Sequence, residues 1–337
     1  MFGFARGGLV PILCLALLAA ACAPRLAPPG PGPTAPRLAA GHLIAADGLE
    51  LPLRSWLPED GAPPRAVILA LHGFNFYSEF FEEPAKFWAA RGLATYAYDQ
   101  RGFGAAPDPG RWGGTAAMTA DLTAAARALR LRYPGTPLYL LGDSMGGAVV
   151  LAALGGDEPP PNDGVILVAP AVWARSTLPL SYRFGLWIGV HTLPWLKVSG
   201  RGLDIQASDN IEMLRELGRD PLVIKETRID AIHGLVDLMD AALAAAPRIE
   251  TPALLLYGAK DEVVPEAPSL QLWRDLPETA RGRQRRALYQ DGWHILLRDL
   301  KAEVVLGDIA AWIADAEAPL PSGAEDRTLA RLNDAED

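Results

Sequence analysis

Buried strands and helices alternate through the middle of this chain, as its pattern of hydrophobic and polar positions indicates. Continuous apolar runs such as AVILALHG (66–73), PLYLLGD (137–143) and PALLLYGAKD (252–261) are typical of parallel strands covered on both faces. Stretches with helical spacing, such as EEPAKFWAARG (82–92) and MTADLTAAARALRLRY (118–133), lie between these runs. The alternation predicts an α/β fold with a mainly parallel sheet and helices on both faces.

The alternation stops between Val172 and Glu250. This segment, about 172–250, is predicted to be a helical cap inserted over the carboxyl edge of the sheet, where the sites of such sheets lie. We expect its apolar side chains, Trp187 or Trp195 among them, to line a pocket for an acyl chain, although many of them also suit an ordinary core. The aromatic residues of the segment are Trp173, Tyr182, Phe184, Trp187 and Trp195.

The two ends of the chain differ in composition from its middle. Residues 1–21 combine one Arg with the apolar run LVPILCLALLAA, which predicts a secretory signal. Residues 22–40 are rich in Pro and Gly and predict an extended linker. A folded domain is expected over 41–315, followed by a polar, flexible tail over 316–337.

The cysteines point to export with a lipid anchor. Cys14 lies inside the predicted signal, so Cys22 is the one Cys of the predicted mature chain and no internal disulfide is expected. The stretch from Leu18 to Cys22 resembles a bacterial lipoprotein signal, which implies that Cys22 is lipidated and holds the protein in the cell envelope. Ordinary signal cleavage nearby is the alternative. The formal net charge of −9 argues against nucleic acid as a partner.

Ser144 stands in Gly142-Asp143-Ser144-Met145-Gly146, between a predicted strand and a small-residue helix. A Ser at such a junction is either a helix N-cap or a nucleophile. The strand–turn–helix context favours the nucleophile elbow, in which a sharp turn exposes the Ser hydroxyl above the sheet.

A base and an orienting acid for Ser144 are found further along the chain. Asp261 ends a predicted strand, and His294 lies just past the last one, so the order Ser, Asp, His matches that expected for this type of sheet. His294 would take the proton of the Ser hydroxyl, and Asp261 would orient the imidazole. Glu262 and Asp291 are rivals to Asp261, which is favoured by its position at the strand end.

Two backbone N–H groups are predicted to stabilise an oxyanion. One belongs to Met145, the residue after the predicted nucleophile. The other is expected in the turn that follows the strand AVILALHG, where Phe74 is the predicted donor. His72, in the same turn, is expected to order the loop rather than to take part in the chemistry.

These motifs together resemble the α/β-hydrolase superfamily, within it the branch of monoacylglycerol lipases, lysophospholipases and S33-like serine aminopeptidases. The resemblance spans about residues 41–315. It implies an eight-stranded sheet with a cap, the catalytic residues Ser144, Asp261 and His294, the oxyanion donors Phe74 and Met145, and neither metal nor cofactor. Phe103 stands where this branch often has His. The motifs are HGF (72–74), YDQRGFG (98–104), GDSMGG (142–147), RDPLV (219–223), YGAKDEVVP (257–265) and DGWHILLRD (291–299).

Three functions remain open on the sequence. The first is hydrolysis of a lipid ester such as a monoacylglycerol or lysophospholipid, favoured by the apolar cap and the predicted anchor. The second is an aminopeptidase, which would need an acidic cap residue for the substrate amine; Glu212, Glu216 and Glu226 are available, but they also suit a solvated helix face. The third is a non-catalytic lipoprotein that only binds a ligand. A binding protein does not need a Ser, His and Asp triad, which disfavours this function.

Overall fold

The computed structural model describes residues 24–59, 61–200 and 202–325, and for residue 281 only the backbone. Cys22, the predicted signal and the last twelve residues of the chain lie outside this range, so the predicted signal and lipidation site have no structural description here. No helix within the described residues combines the length and the apolar character needed to cross a bilayer.

A nine-stranded sheet forms the centre of the described chain, in the order β1-β2-β3-β5-β4-β6-β7-β10-β11. The six strands from β5 to β11 in this order run parallel, and β1, β2 and β3 extend the sheet with antiparallel pairing. A separate ribbon consists of β8 and β9. The strands are β1 Arg37–Ala39, β2 His42–Ile44, β3 Glu50–Trp56, β4 Ala66–Leu71, β5 Leu93–Tyr98, β6 Leu138–Asp143, β7 Gly164–Val168, β8 Lys197–Val198, β9 Thr227–Arg228, β10 Ala253–Gly258 and β11 Gln284–Tyr289.

The parallel strands are buried because both faces of the sheet carry a hydrophobic core. All six residues of β4 are buried, with Val67 and Leu69 in one core and Ile68 in the other. Successive side chains of a strand point to opposite faces, so a continuous apolar run supplies both cores at once. This confirms the predicted α/β class and the mainly parallel sheet.

Eight α-helices accompany the sheet in the described residues. Side chains of α2, α3, α6 and α7 enter one core, and those of α1 and α8 enter the other. The helices are α1 Glu82–Ala89, α2 Thr115–Arg132, α3 Met145–Leu154, α4 Leu180–Thr192, α5 Ile211–Arg219, α6 Ile229–Ala245, α7 Glu266–Asp275 and α8 Ala302–Ala314.

The Pro-rich segment differs from the extended spacer that its composition predicts. The N–H of Ala27 donates to the carbonyl of Trp112 (2.8 Å), and the N–H groups of Gly30 and Gly32 donate to Asp47 (2.8 and 2.9 Å). Its end forms β1, which explains why the sheet has nine strands and not the predicted eight. A Pro- and Gly-rich composition shows that a segment cannot form an apolar core of its own. This segment is instead held by backbone hydrogen bonds, both to the edge of the sheet and to a neighbouring loop.

The observed boundaries of the cap and of the tail also differ from the predicted ones. Helix α6 packs on α3 and buries Leu238 and Ala242 in the core beside the sheet. The inserted cap therefore consists of α4, α5 and the β8–β9 ribbon, and it ends near residue 228 and not near 250. The first residues of the predicted flexible tail pack on the domain, where Leu320 and Ala324 are buried.

Candidate active site

Ser144 occupies a strained turn between β6 and α3, with φ 49° and ψ −112°. This conformation with positive φ is unfavourable for a residue with a side chain and is tolerated where the surrounding structure enforces it. A Cβ on Gly142 would lie 2.4 Å from the amide nitrogen of Gly147, and one on Gly146 would lie 2.1 Å from the carbonyl oxygen of Leu71. The turn is thus tight enough to require glycine on both sides of the serine, as in a nucleophile elbow.

The hydroxyl of Ser144 makes no capping bond to α3 and instead faces an imidazole. Its Oγ lies 3.0 Å from Nε2 of His294, and Nδ1 of the same ring lies 2.8 Å from Oδ2 of Asp261. The other oxygen of Asp261 accepts the N–H groups of Val263 and Val264, at 2.8 and 2.9 Å. A carboxylate can only accept, so Nδ1 carries the proton and Nε2 is free to accept the serine proton.

The sequence rivals of Asp261 lie elsewhere. Glu262 accepts the N–H of Gln206 (2.7 Å). Asp291 is exposed and pairs with Lys260 and Lys301. Of the acidic residues predicted around His294, Asp261 is the one that meets its ring nitrogen.

His294 is buried, with 6% of its surface exposed. Burial favours the neutral imidazole, but the negative charge and hydrogen bond of Asp261, aided by Asp143 and Asp299, outweigh it and raise the pKa of His294 above its ordinary value. A more basic imidazole accepts the serine proton more readily. The acid therefore both orients this ring and increases its basicity.

The predicted oxyanion donors belong to two segments next to Ser144: the start of α3 and the loop after β4. Met145 is the first residue of α3, where backbone N–H groups have no partner within the helix and the helix dipole favours negative charge. The loop with Phe74 lies against the serine, since a Cβ on Gly73 would be 3.3 Å from Cβ of Ser144. The structure thus places Met145 and the loop that carries Phe74 next to Ser144.

His72 orders this loop through two bonds. Its Nε2 accepts the N–H of Gln100 (3.0 Å), which leaves Nδ1 to donate to the carbonyl of Gly73 (2.9 Å). Burial lowers the pKa of His72 to about 4, so the ring is neutral at pH 7. A neutral, doubly bonded histidine suits a role in loop geometry.

Asp143, directly before the serine, is a residue that sequence reasoning missed. It is 2% exposed, and its Oδ1 has no hydrogen-bond partner among the described residues. Burial raises the pKa of Asp143 to about 7; the charge of His294 opposes the shift, and Asp261 and Asp299 add to it. The signal in the sequence was an acidic residue at the end of an otherwise apolar strand.

Asp299 was also missed, although it closes one of the quoted motifs. Its two oxygens accept the hydroxyl of Ser208 (2.6 Å) and the N–H of Trp293 (2.8 Å), next to His294. Burial raises the pKa of Asp299 to about 6. It fixes the backbone that carries the imidazole and ties it to the cap.

The other predicted residues of the cap lie away from the hydrogen-bonded residues Ser144, His294 and Asp261. Glu212 pairs with Arg215 on the exposed side of α5, and Glu216 is exposed on the same helix. Trp187 and Trp195 are 57% and 47% exposed, so a large part of each ring faces outward and not into a pocket. In the described part of the chain, no three residues of metal-binding type come together.

Comparison with known proteins places this arrangement in a family. Residues 62–301 match the family model described as "Serine aminopeptidase, S33". The chain belongs to the serine aminopeptidase S33 family. Among its relatives, human monoglyceride lipase is 26% identical over 82% of this chain and 91% of its own length. The monoacylglycerol lipase of Mycolicibacterium smegmatis is 26% identical over 79% of this chain and 93% of its own.

Solved structures of two lipases share the fold. The monoacylglycerol lipase of Paleococcus ferrophilus has a TM-score of 0.65 at 23% identity and covers 80% of this chain and all of its own. A soluble variant of the Saccharomyces cerevisiae monoglyceride lipase has a TM-score of 0.68 at 21% identity, with 86% and 99% coverage. The predicted superfamily and branch are confirmed, and so is the prediction of an enzyme of the carboxylic-ester hydrolase class.

Proposed function

We propose that this S33 hydrolase cleaves the ester of a monoacyl lipid, a monoacylglycerol or lysophospholipid, with Ser144 as nucleophile, His294 as base and Asp261 as orienting acid. The observation that carries the proposal is the unbroken hydrogen-bonded row from the strained Ser144 to Asp261. Strain at the serine and a buried base are features of a working nucleophile rather than of a helix cap.

Ser144, His294 and Asp261 together provide the groups needed for each step of acyl transfer. Ser144 Oγ attacks the ester carbonyl while His294 Nε2 takes its proton, and the oxyanion is received by the N–H groups of Phe74 and Met145. His294 then gives the proton to the leaving alcohol oxygen, and the acyl group stays on the serine. Water, deprotonated by the same imidazole, attacks the acyl-enzyme and releases the fatty acid and the free serine.

A lipid substrate is supported by the relatives and by the cap. Monoglyceride and monoacylglycerol lipases from human and from a mycobacterium match most of this chain. The structurally similar yeast lipase was solved in complex with a substrate analog. In this chain, α4 of the cap carries Leu180, Phe184 and Trp187 and no acidic residue.

An aminopeptidase activity is the second candidate, because the family model is described by that activity. Such an enzyme has to hold a protonated amine beside the scissile bond, which needs a carboxylate in the cap. The cap glutamates that the sequence offered for this role, Glu212, Glu216 and Glu226, are all exposed. This favours the ester over the peptide.

We further propose that Cys22 carries a lipid that anchors the enzyme in the bacterial cell envelope. Support comes from the apolar segment before it, its place directly after small residues, and the absence of another Cys in the chain beyond it. Mass spectrometry of the mature N-terminus tests this. An unmodified terminus at another residue would refute the anchor but would leave the proposed chemistry intact.

The proposed chemistry is tested with Ser144→Ala on p-nitrophenyl esters from C2 to C12, beside alanine and proline anilides. Loss of the nucleophile is expected to reduce kcat by on the order of 10⁶. The matched control is Ser55→Ala, an exposed serine on β3. Residual activity of Ser144→Ala within tenfold of the wild type would refute the nucleophile, and anilides cleaved faster than every ester would favour the peptidase.

A further inference from the structure

The Pro-rich segment at the start of the described chain is bound to the loops around the candidate site. We call residues 25–34 the strap. Four of its ten residues are Pro, which fixes φ and reduces the entropy lost when the segment becomes ordered. Hydrogen bonds to the domain are donated by the backbone N–H groups of Arg25, Ala27, Gly30, Gly32 and Thr34.

Three contacts of the strap lead to the same loop, the turn of residues 72–75 that follows β4. This turn carries Phe74, the proposed oxyanion donor, and we call it the oxyanion loop. It packs directly on the serine turn, since a Cβ on Gly73 would lie 3.0 Å from Oδ2 of Asp143 and 3.3 Å from Cβ of Ser144. A change in the support of this loop therefore changes the geometry at the serine.

The first contact passes through Trp112. Leu26 pairs with Trp112 in a parallel β-bridge, and the N–H of Ala27 donates to the carbonyl of Trp112 (2.8 Å). The indole is 3% exposed, and its centroid lies 6.3 Å from that of the Phe74 ring. Helix α6 also closes on it, because a Cβ on Gly234 would come within 2.3 Å of the indole. The strap thus binds the residue against which Phe74 packs.

The second contact passes through a buried arginine. Oδ2 of Asp47 accepts the N–H of Gly30 (2.8 Å), and both carboxylate oxygens accept bonds from Arg101 (2.7 and 2.9 Å). The preceding residue, Gln100, bonds to His72 twice: its N–H donates to Nε2 (3.0 Å), and its side-chain amide donates to the carbonyl (2.9 Å). His72 is the first residue of the oxyanion loop, so this chain of bonds ends there.

The third contact passes through β9. Asp230 accepts the N–H of Arg25 at 3.4 Å and the guanidinium of Arg228 at 2.9 Å. The neighbour of Arg228 in β9 is Thr227, whose hydroxyl accepts a bond from the side-chain amide of Asn75 (2.8 Å). Asn75 lies in the oxyanion loop and has φ 68°, a left-handed conformation that depends on support from its surroundings.

We propose that the strap is a positioning element of the ester hydrolysis proposed above, on which this role rests. Through its three contacts it holds the oxyanion loop where the N–H of Phe74 meets the oxyanion. A donor stabilises an oxyanion at about 2.7–3.1 Å, so a shift of the loop by about 1 Å is costly. Because the oxyanion forms only after attack, release of the strap should lower kcat and leave KM nearly unchanged.

Gly30→Val displaces the strap without altering a residue of the catalytic machinery. A Cβ at this position would lie 2.4 Å from the carbonyl oxygen of Asp47 and 2.6 Å from the backbone nitrogen of Leu49. For the full chain acting on p-nitrophenyl butyrate, we expect kcat to fall at least tenfold and KM to change less than about twofold, since loss of a complete donor costs about 10²–10³ in kcat. The matched control is Ala35→Val, at an exposed position directly after the strap, which should behave like the parent.

Two further measurements separate positioning from a general loss of stability. Hydrogen–deuterium exchange should become faster in a peptide that covers the oxyanion loop and stay unchanged in β6. A trifluoromethyl ketone, which forms a hemiketal oxyanion with a nucleophilic serine, should bind Gly30→Val more weakly by the factor that kcat/KM loses. The final stoichiometry of fluorophosphonate labelling should equal that of the parent, because the folded fraction is unchanged.

Ala27→Pro is the second variant, since a valine at position 30 also presses on the turn around Asp47. It removes the N–H that donates to Trp112 and leaves Gly30 in place. We expect the same signature with a smaller fall in kcat: unchanged KM and faster exchange of the oxyanion loop.

A normal kcat in both variants, or a lower kcat without faster exchange of the oxyanion loop, would overturn this role of the strap. So would a loss of labelling stoichiometry that accounts for the whole fall in kcat, because the strap would then only stabilise the fold. A higher KM at constant kcat would also overturn it, in favour of substrate binding. Full activity of Ser144→Ala would refute the proposed nucleophile, whereas the exchange measurement would still report whether the strap holds the loop.

Discussion

Asp143 is expected to make this protein less stable as pH rises. A carboxylate in a salt bridge has the opposite effect, because it stabilises the folded state when it ionises. The carboxyl of Asp143 is buried beside Ser144, and burial raises its pKa from 3.8 to about 7. Between these two values the unfolded chain is ionised at this position and the folded chain is protonated. Folded molecules then bind more protons than unfolded ones, so stability falls as pH rises through this window.

The size of the effect follows from the two pKa values. At pH 5 this titration has cost the folded state about 2 kcal/mol relative to low pH, and at pH 8 about 4 kcal/mol. Asn has nearly the same shape as Asp and no charge. The stability advantage of Asp143→Asn over the wild type is therefore expected to grow by about 2 kcal/mol between pH 5 and pH 8, or roughly 5 °C in melting temperature for a domain of this size.

The assay is thermal unfolding of Asp143→Asn and wild type at pH 5 and pH 8, followed by circular dichroism. Comparing the two proteins at each pH cancels the titration of other groups such as Asp299. Asp157→Asn, at an exposed position, is the control and should show the same offset at both pH values. If the stability advantage of Asp143→Asn does not grow with pH, the raised pKa is refuted.

The same substitution should change catalysis. Near and above pH 7, where its carboxyl ionises, Asp143 is one of the charges that raise the pKa of His294. Its removal is expected to move the acid limb of the pH–rate profile of ester hydrolysis to lower pH, because His294 then loses its proton more easily. An unchanged acid limb would show that Asp143 does not act on the imidazole.

Three further predictions address the rest of the site. Since the pKa of His294 is raised, kcat/KM of the wild type should fall as pH falls through a midpoint above 6.5, and a midpoint below 6.5 would contradict this. Asp261→Asn should reduce kcat by on the order of 10⁴, because the amide leaves the imidazole in the wrong tautomer; a loss under tenfold would exclude the role of Asp261. Ser144→Gly should melt at a higher temperature than Ser144→Ala, by about 1 kcal/mol of stability, because glycine relieves the strain at φ 49°; a lower melting temperature would indicate an unstrained turn.

The sequence by itself determined the parts of this protein that are local or periodic. Buried parallel strands appear as apolar runs, as in β4, and the tight turn at Ser144 needs glycines that stand beside it in the chain. The order of Ser144, Asp261 and His294 along the chain follows from the strand ends on which they stand. Each of these features depends on a few neighbouring residues, so a single sequence displays it.

Only the tertiary structure decided what depends on distant parts of the chain. Ser144 and His294 are 150 positions apart, and only the fold shows that their atoms lie 3.0 Å from each other. The burial of Asp143 and the bond from Asp299 to the backbone beside His294 are invisible in the sequence, because any acidic residue could equally face solvent. The Pro-rich segment was misjudged for the same reason: its partners, such as Trp112, lie far along the chain, and composition carries no record of them.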